Sequence, residues 1–549
     1  MDDLILKHAL HNAVKFDGKA NQGAVIGKVF GEKPELKNDA SSLAKKVAEI
    51  VKKVNSMNLG EQLKKLKEIA PELLEEKKEK KKRELPELKN AIKGKVTTRL
   101  APEPSKYLHI GHAFSFIINY LFAKKYEGKC ILRFDDTNPE KASKEYYKAI
   151  ESDLEWLGIK YDGKIIASND MEKFYSYAEK LIVSKNAYVC FCSQESIHKN
   201  REEMKICDCR ESSVNDNLTN WEKMKSGKLK EGKCILRLVG FMESLNAVMR
   251  DPVLFRLIKA KHPLQKTKYK LWPMYDFETV VEEELCNITH IMRSHEFGGM
   301  RIELQDYIKQ LLGFKKQEVF QYSRLNVTGA VTQGREVREL IDSGKILGWD
   351  DPRLVTLSAL RRRGIQPETL FGLAMEVGLT SSEKSIDWSL ISSISRKFLD
   401  GKVNRYSFVD NPKLLVIDNA PKILAKAPLH PDDKARGFRR LKTNGRFFIS
   451  DSLDLNKNYR LMHLFNFNGN KFLSQHLDPS LSARLIHWLP EDGNIEAEIL
   501  MPDATVKSGL VEKNAKKIKV DEVVQFERFG FVRLDKKTKD KFYFRYTHD

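Results

Sequence analysis

The stretch from Lys95 to Tyr120 constrains this chain more than any other. Lys95-Val96-Thr97-Thr98-Arg99 reads as a strand, and Pro102 and Pro104 stiffen the turn after it. Leu108-His109-Ile110-Gly111-His112 then opens an apolar run, Ala113 to Tyr120, able to continue as a buried helix. With 13 His and 30 Gly in 549 residues, His-x-Gly-His is expected only ~0.02 times by chance. Two histidines three apart at a helix start share one face, and their N–H groups join the free amides and positive dipole end there. Such a corner is a seat for a triphosphate, and Gly111 keeps it open to a nucleotide. A pair of satisfied core histidines is the plainer alternative.

A chain of 549 residues predicts several domains, each able to bury its own core. The formal net charge of +20 favours a polyanionic partner, whether DNA, RNA or an acidic membrane. An apolar content of 41% excludes a wholly disordered chain. Met1 to Gly18 lacks the apolar core of a signal peptide, and the longest apolar run, Ala113 to Ala123, is too short to span a bilayer. A cytoplasmic protein with no membrane association is expected. Seven cysteines, four of them in the pairs Cys190-x-Cys192 and Cys207-x-Cys209, look more like a metal site than a disulfide framework. A tetrahedral zinc and four reduced, buried thiols both remain open for them.

Residues 1–92 show helix-type spacing (Leu43, Val47, Ile50, Val51; Leu63, Leu66, Ile69, Leu73, Leu74) and predict a helical domain with a basic linker. The run Glu75 to Arg83 reads as a solvated helix or linker, with nucleic-acid contact as the functional alternative. From Gly94 strands alternate with helices, among them the strands Cys130 to Phe134 and Asn287 to Arg293 and the helix Tyr146 to Leu157. That order predicts an α/β fold with a parallel doubly wound sheet, first half 93–187 and second half 271–335. Residues 188–270 read as an insertion and 336–401 as a helical connecting region. Short strands between turn residues make 402–549 an all-β barrel region.

The segment Arg99 to Ala113, RLAPEPSKYLHIGHA, resembles the HIGH signature of class I aminoacyl-tRNA synthetases in their glutamyl/glutaminyl branch. Leu132 to Pro139, Arg250 to Val253, Trp272 to Phe277, Tyr322 to Asn326, Gly348 to Leu354, Leu360 to Gly364 and Asn404 to Tyr406 match further motifs in family order. His11 to Val29 resembles the helical appendage of archaeal glutamyl enzymes, and the β-rich tail fits the archaeal and glutaminyl type rather than the bacterial one. The resemblance implies a Rossmann-type catalytic domain, an inserted acceptor-binding domain and C-terminal anticodon-binding barrels. It implies ATP-dependent attachment of glutamate to tRNA(Glu), with Mg²⁺ across the phosphates and tRNA(Gln) left open as a second acceptor. A monomer is expected.

By the same resemblance His109 and His112 donate to the α-phosphate, and the ATP contacts are Glu103, His109, Gly111, His112, Ser294, Arg324 and Leu325. Asp135 and Tyr275 fall on the ammonium and substrate contacts, Arg99 on a carboxylate-binding arginine. Plainer readings are a turn or cap aspartate for Asp135 and a surface ion pair for Arg99. Arg293 stands where glutamyl enzymes carry arginine and glutaminyl enzymes a small neutral residue. A guanidinium forks onto a γ-carboxylate and loses an acceptor facing an amide, which selects glutamate. Some family members bind zinc where the four cysteines lie. Arg361, Arg362, Arg363 and Arg405 are the candidate tRNA contacts, with a solvated helix start as the alternative for the cluster.

The chain departs from the family at the mobile loop whose lysine stabilises the leaving phosphates. Here Thr332-Gln333-Gly334-Arg335-Glu336 places Glu336 at the expected lysine, where a carboxylate repels pyrophosphate. Arg335, or Arg338, is expected to supply the charge instead. Lys106 occupies a usual glycine position and Phe114 a usually basic one. A paralogue with impaired activation that binds tRNA is the second reading, and a glutaminyl enzyme, opposed by Arg293, the third.

Overall fold

Four helices follow from the three-to-four spacing of the first seventy residues: α1 (Asp2–Lys15), α2 (Gln22–Glu32), α3 (Ala40–Asn55) and α4 (Leu59–Ile69). Their stripes Ile5, Leu10, Val25, Val29, Val47 and Leu66 make one core. Asn58 and Glu61 cap α4 reciprocally, each side chain accepting the other's backbone N–H, at 2.9 and 3.1 Å. Buried Gln62 donates to the carbonyls of Gly18 and Val54 at 2.9 and 2.8 Å. These helices lie in one compact unit, Met1–Glu84, and the remainder, Leu85–Asp549, forms a second. The computed structural model describes residues 2–16, 18–73, 84–295, 298–379 and 384–549. Leu74 and the charged run Glu75 to Arg83 lie outside the described residues. Among those described, no helix is long and apolar enough to cross a membrane.

In the second unit β1 (Thr97–Leu100), β2 (Lys129–Phe134) and β3 (Gly163–Ile166) pair in parallel. Helix α5 (Ile110–Lys125) joins the first two and α6 (Lys144–Trp156) the next. Helix α5 is apolar nearly all round and therefore buried, and its Asn119 amide donates to the Met292 carbonyl at 2.9 Å. The tight return into β2 needs Gly128, because a Cβ there would lie 2.0 Å from the Val96 carbonyl oxygen.

After β3 come α7 (Met171–Val183) and an insertion built from β4 (Ala187–Cys190), α8 (Gln194–Glu202), α9 (Val214–Lys225), β5 (Ile235–Leu238), β6 (Val253–Leu257) and β7 (Leu271–Pro273). Its four strands are antiparallel in the order β4-β5-β6-β7, over a core that includes Trp221, Phe255 and Trp272. The chain then returns through α10 (Tyr275–Leu285), β8 (His290–Ser294), α11 (Gly298–Leu312) and β9 (Glu318–Tyr322), with β8 and β9 parallel. Thr289, just before β8, donates its N–H to the Thr97 carbonyl at 3.0 Å, and its Oγ1 accepts the Thr97 N–H at 2.9 Å. The strands therefore run in the order β3-β2-β1-β8-β9. The order reverses between β1 and β8, which makes their carboxyl ends the place where a doubly wound sheet holds its ligand.

Beyond the sheet lie β10 (Leu325–Val327), α12 (Gly334–Asp342), α13 (Leu357–Arg363), α14 (Pro367–Val377), β11 (Lys384–Ile386) and α15 (Trp388–Leu399). All remaining regular elements are strands or short 3₁₀ turns. Seven strands run Arg405–Tyr406, Val523–Phe526, Gly530–Lys537, Lys541–His548, Ile495–Leu500, Val506–Val511, Phe408–Asp410 across one sheet. Its two edge strands are separated along the chain only by Ser407, so the sheet curls closed around Tyr406, Ile499, Phe526 and Phe544. The strands from Lys413 to Pro490 enclose a second core around Phe447, Tyr459, Phe465 and Trp488. Buried Arg439 ties the two together, donating to Glu512 at 2.5 Å and Glu527 at 2.6 Å.

Candidate active site

His109 is the N-cap of α5 in extended conformation (φ −123°, ψ 173°) and His112 stands one turn in. The two imidazoles lie 3.8 Å apart between ring centres. His109 Nδ1 accepts the Gly111 N–H at 3.1 Å, and His112 Nδ1 accepts the His109 N–H at 3.1 Å. With both Nδ1 atoms accepting, the ring proton of each neutral imidazole sits on Nε2, so each offers one N–H donor. Burial lowers His109 to about 3, helped by Lys106 and Arg324, and holds His112 well below its ordinary value. The pair therefore acts as neutral donors. At Gly111 a Cβ would press on the His109 ring at 3.0 Å, so any other residue would make that ring shift by a few tenths of an ångström.

A pH dependence follows. Unfolded His109 titrates near 6.5 and folded His109 near 3, so its contribution to stability is whole above pH 6.5 and is lost as pH falls toward 3. His109→Gln should flatten the thermal midpoint against pH in that window. Equal slopes for the two proteins would refute this.

Around the pair lies a cavity of about 830 Å³. Its lining includes Glu103, Asp135, Tyr275, Ser294, Leu325 and seven cations: Arg99, Lys106, Lys141, Arg293, Arg324, Arg335 and Arg338. The fold brings the expected amino-acid and ATP residues together because β1, β2 and β8 end here. Arg99 and Arg293 are buried near the ends of adjacent strands. Arg293 Nη1 donates to Gln305 Oε1 at 2.9 Å, and Gln305 Nε2 donates to Asp276 Oδ1 at 3.0 Å, a relay that aims the guanidinium. Asp135 is forked by Arg133, Nε to Oδ1 at 2.6 Å and Nη2 to Oδ2 at 3.0 Å. It is therefore neither a helix cap nor solitary. Phe114 lines the cavity in edge contact with Tyr322, ring centres 5.2 Å apart.

Sequence reasoning missed the acids behind these arginines. Glu283 is fully buried, 3.6 Å from Arg99 Nε and 3.4 Å from the buried Lys309 ammonium. Arg99 thus has a buried ion pair rather than the surface one considered above. Glu278 accepts from Thr137 at 2.6 Å. The available signal was the run Glu282-Glu283-Glu284, four to six residues past Glu278 in a helix that also carries Phe277, Val280 and Val281.

The structure places the other expected residues as follows. Arg335 reaches only the cavity rim: its side chain is 88% exposed and its Nε donates to Glu339 at 2.9 Å, one turn along α12. Glu336 is exposed and does not line the cavity, so its charge faces water. Arg363 is buried, donates to the Thr547 carbonyl at 3.0 Å and covers the Trp388 ring at 4.2 Å, so it is structural and closed to tRNA. Arg362 pairs with Asp350 at 2.5 Å and Asp535 at 2.9 Å. Arg361 alone of the three is exposed. Arg405 donates to Asp400 at 3.0 Å and is mostly covered.

In the insertion the four cysteine sulfurs lie within 4.8 Å of one another. Cys190–Cys207 and Cys192–Cys209 are 3.8 and 3.9 Å apart, too far for disulfides. A tetrahedron with Zn–S of about 2.3 Å has edges of about 3.8 Å, so the donor set fits zinc. Buried Arg237 puts Nη1 3.7 Å from Cys207 and 3.9 Å from Cys190, where its charge favours thiolates.

Comparison with known proteins agrees with this arrangement. Residues 95–401 match the model of the tRNA synthetases class I (E and Q) catalytic domain. Residues 403–482 and 485–535 match two models of the class I (E and Q) anti-codon binding domain. The chain is 41% identical to the glutamate–tRNA ligase of Pyrococcus furiosus and 38% identical to that of Methanocaldococcus jannaschii, with 100% of both partners covered in each case. A crystal structure of a glutamate tRNA ligase from Elizabethkingia meningosepticum in complex with its amino acid matches at 18% identity and a TM-score of 0.41, over 56% of this chain and 70% of that one. Matched by the catalytic model over more than half its length and aligned end to end with those archaeal ligases, this chain belongs to the class I tRNA synthetases of the E and Q family.

Proposed function

We propose that the chain is a glutamate–tRNA ligase that makes glutamyl-adenylate from L-glutamate and Mg·ATP, then esterifies the 3′ end of tRNA(Glu). The observation that carries this reading is Arg293, buried beside Arg99 in the cavity that also holds the His109–His112 pair. Two guanidiniums suit the two carboxylates of glutamate, and Asp135 with Tyr275 suits its ammonium. A carboxylate oxygen of glutamate attacks the α-phosphorus, the bond to the bridging oxygen breaks, and pyrophosphate leaves. The two Nε2–H donors meet the charge developing on the α-phosphate, while Arg324 and Leu325 hold the adenosine end. In the second step the terminal ribose hydroxyl takes the glutamyl group and AMP departs.

Charging assays with labelled glutamate and glutamine on purified tRNA(Glu) and tRNA(Gln) test this. Glutamate on tRNA(Glu) and no glutamine on either is expected; preferential glutamine charging overturns it. Glutamate on tRNA(Gln) would place both among its acceptors. The anticodon-binding matches, the net charge of +20 and exposed Arg361 support a long tRNA footprint whose affinity falls steeply with salt.

Cys190, Cys192, Cys207 and Cys209 are the proposed ligands of one structural zinc, which would tie β4 to the loop before α9. Metal analysis of protein purified without added zinc should give one zinc per chain, and Cys207→Ser should lower it. Metal-free protein that melts and charges like the native protein would rule the site out.

A further inference from the structure

The role expected of Arg335 falls to a different side chain. We propose that Lys106 contacts the β- and γ-phosphates of ATP and stabilises the departing pyrophosphate. The proposal rests on the ATP-dependent ligase reading above and deepens it.

Lys106 belongs to the turn between β1 and α5, three residues before His109, and it lines the cavity. Its stem packs on the loop that opens α12: a Cβ added at Gly334 would lie 2.7 Å from Lys106 Cδ and 3.3 Å from its Cβ. Gly334 therefore admits the lysine, and the lysine bridges the histidine turn and the 332–336 loop. Arg338 fixes the same junction by donating to the Ser105 carbonyl at 3.1 Å.

The electrostatics ask for an anion. Arg338, Arg324 and Lys141 all bear on the half-buried ammonium, and its charge reaches both histidines. Glu103, the acid that acts on it, is shared, accepting from Ser105 Oγ at 2.9 Å and lying 3.7 Å from Lys141 Nζ. Among the described residues Lys106 has no salt bridge of its own. Gathered cations with one shared carboxylate repel one another until a polyanion enters, and the repulsion is relieved most as charge grows on a leaving pyrophosphate. Lys106 stands on the histidine side of that charge, where exposed Arg335, held by Glu339, does not.

The test compares Lys106→Met, Lys106→Arg and Arg335→Ala with the native chain in two assays. These are ATP–pyrophosphate exchange with glutamate and tRNA(Glu) present, and equilibrium binding of magnesium pyrophosphate. Lys106→Met should lower exchange by about 100-fold. It should weaken pyrophosphate binding by about tenfold, the worth of one charge-assisted hydrogen bond. The glutamate KM, tRNA affinity and thermal midpoint should stay near native values. Lys106→Arg should keep most of the exchange, and Arg335→Ala should lose less than Lys106→Met. Native exchange in Lys106→Met, native pyrophosphate binding in it, or a loss that tracks a lowered melting point would each overturn the proposal. If the native chain itself catalyses no exchange, the ligase reading fails. Pyrophosphate binding then still decides the role of Lys106.

Discussion

Arg293→Met will lower kcat/KM for glutamate by roughly two to three decades and will not convert the enzyme to glutamine. Truncating one partner of a buried, hydrogen-bonded charge pair costs about 2–5 kcal/mol, much of it from the charge left behind. In the proposed complex that charge is the side-chain carboxylate of glutamate. Without its guanidinium the carboxylate loses the partner that Gln305 aims, and the neighbouring Arg301 is already taken by Asp276. Glutamine gains little, because losing the guanidinium frees only the Gln305 amide oxygen, one acceptor for its N–H, while Gln305 Nε2 stays committed to Asp276. Pyrophosphate exchange across a range of glutamate and glutamine concentrations measures both statements. Unchanged glutamate kcat/KM in the variant would remove Arg293 from substrate recognition.

Glu283→Gln will destabilise the catalytic domain by about 3–5 kcal/mol, the cost of leaving buried cations without their counter-ion. Glu283 is 0% exposed, and among the described residues neither carboxylate oxygen has a hydrogen-bond donor. It holds its place through charge, between Arg99 at 3.6 Å and Lys309 at 3.4 Å. Glutamine keeps the shape and removes the charge. Lys309 is then left with Asp306 at 3.9 Å and Arg99 with none of its buried pair. The thermal midpoint should fall and the glutamate KM should rise as Arg99 loses its anchor. The double variant Glu283→Gln/Lys309→Met should recover part of the stability, since removing both charges of a buried pair costs less than removing one. A single variant that melts like the native chain, or a double variant that melts below the single one, would show the pair to be incidental.

What the sequence by itself determined about this protein is local. The turn with Pro102 and Pro104, the N-terminus of α5 and the pairing of His109 with His112 are written within about twenty residues, because hydrogen bonds two and three residues apart build them. Alternation of strands and helices was legible for the same reason, as was the cysteine quartet, whose members lie within a span of twenty residues. Tertiary structure alone decided what depends on distant neighbours. Arg361, Arg362 and Arg363 look alike in a row. Yet Arg363 is 4% exposed because the Thr547 carbonyl, 184 residues later, takes its hydrogen bond, while Arg361 faces water. By sequence Arg335 stands out for its place in the loop, and Lys106 only as a departure at a usual glycine position. Both line the cavity, but α12 turns Arg335 toward Glu339 at the rim, while Gly334 leaves room for the lysine beside the histidine turn. Glu283 reads as one residue of an acidic run, and only burial between two cations distinguishes it. Periodicity and local hydrogen bonding act over a few residues, so a sequence carries them openly. Burial and charge pairing are set by which remote segments meet, and the packed fold alone assigns them.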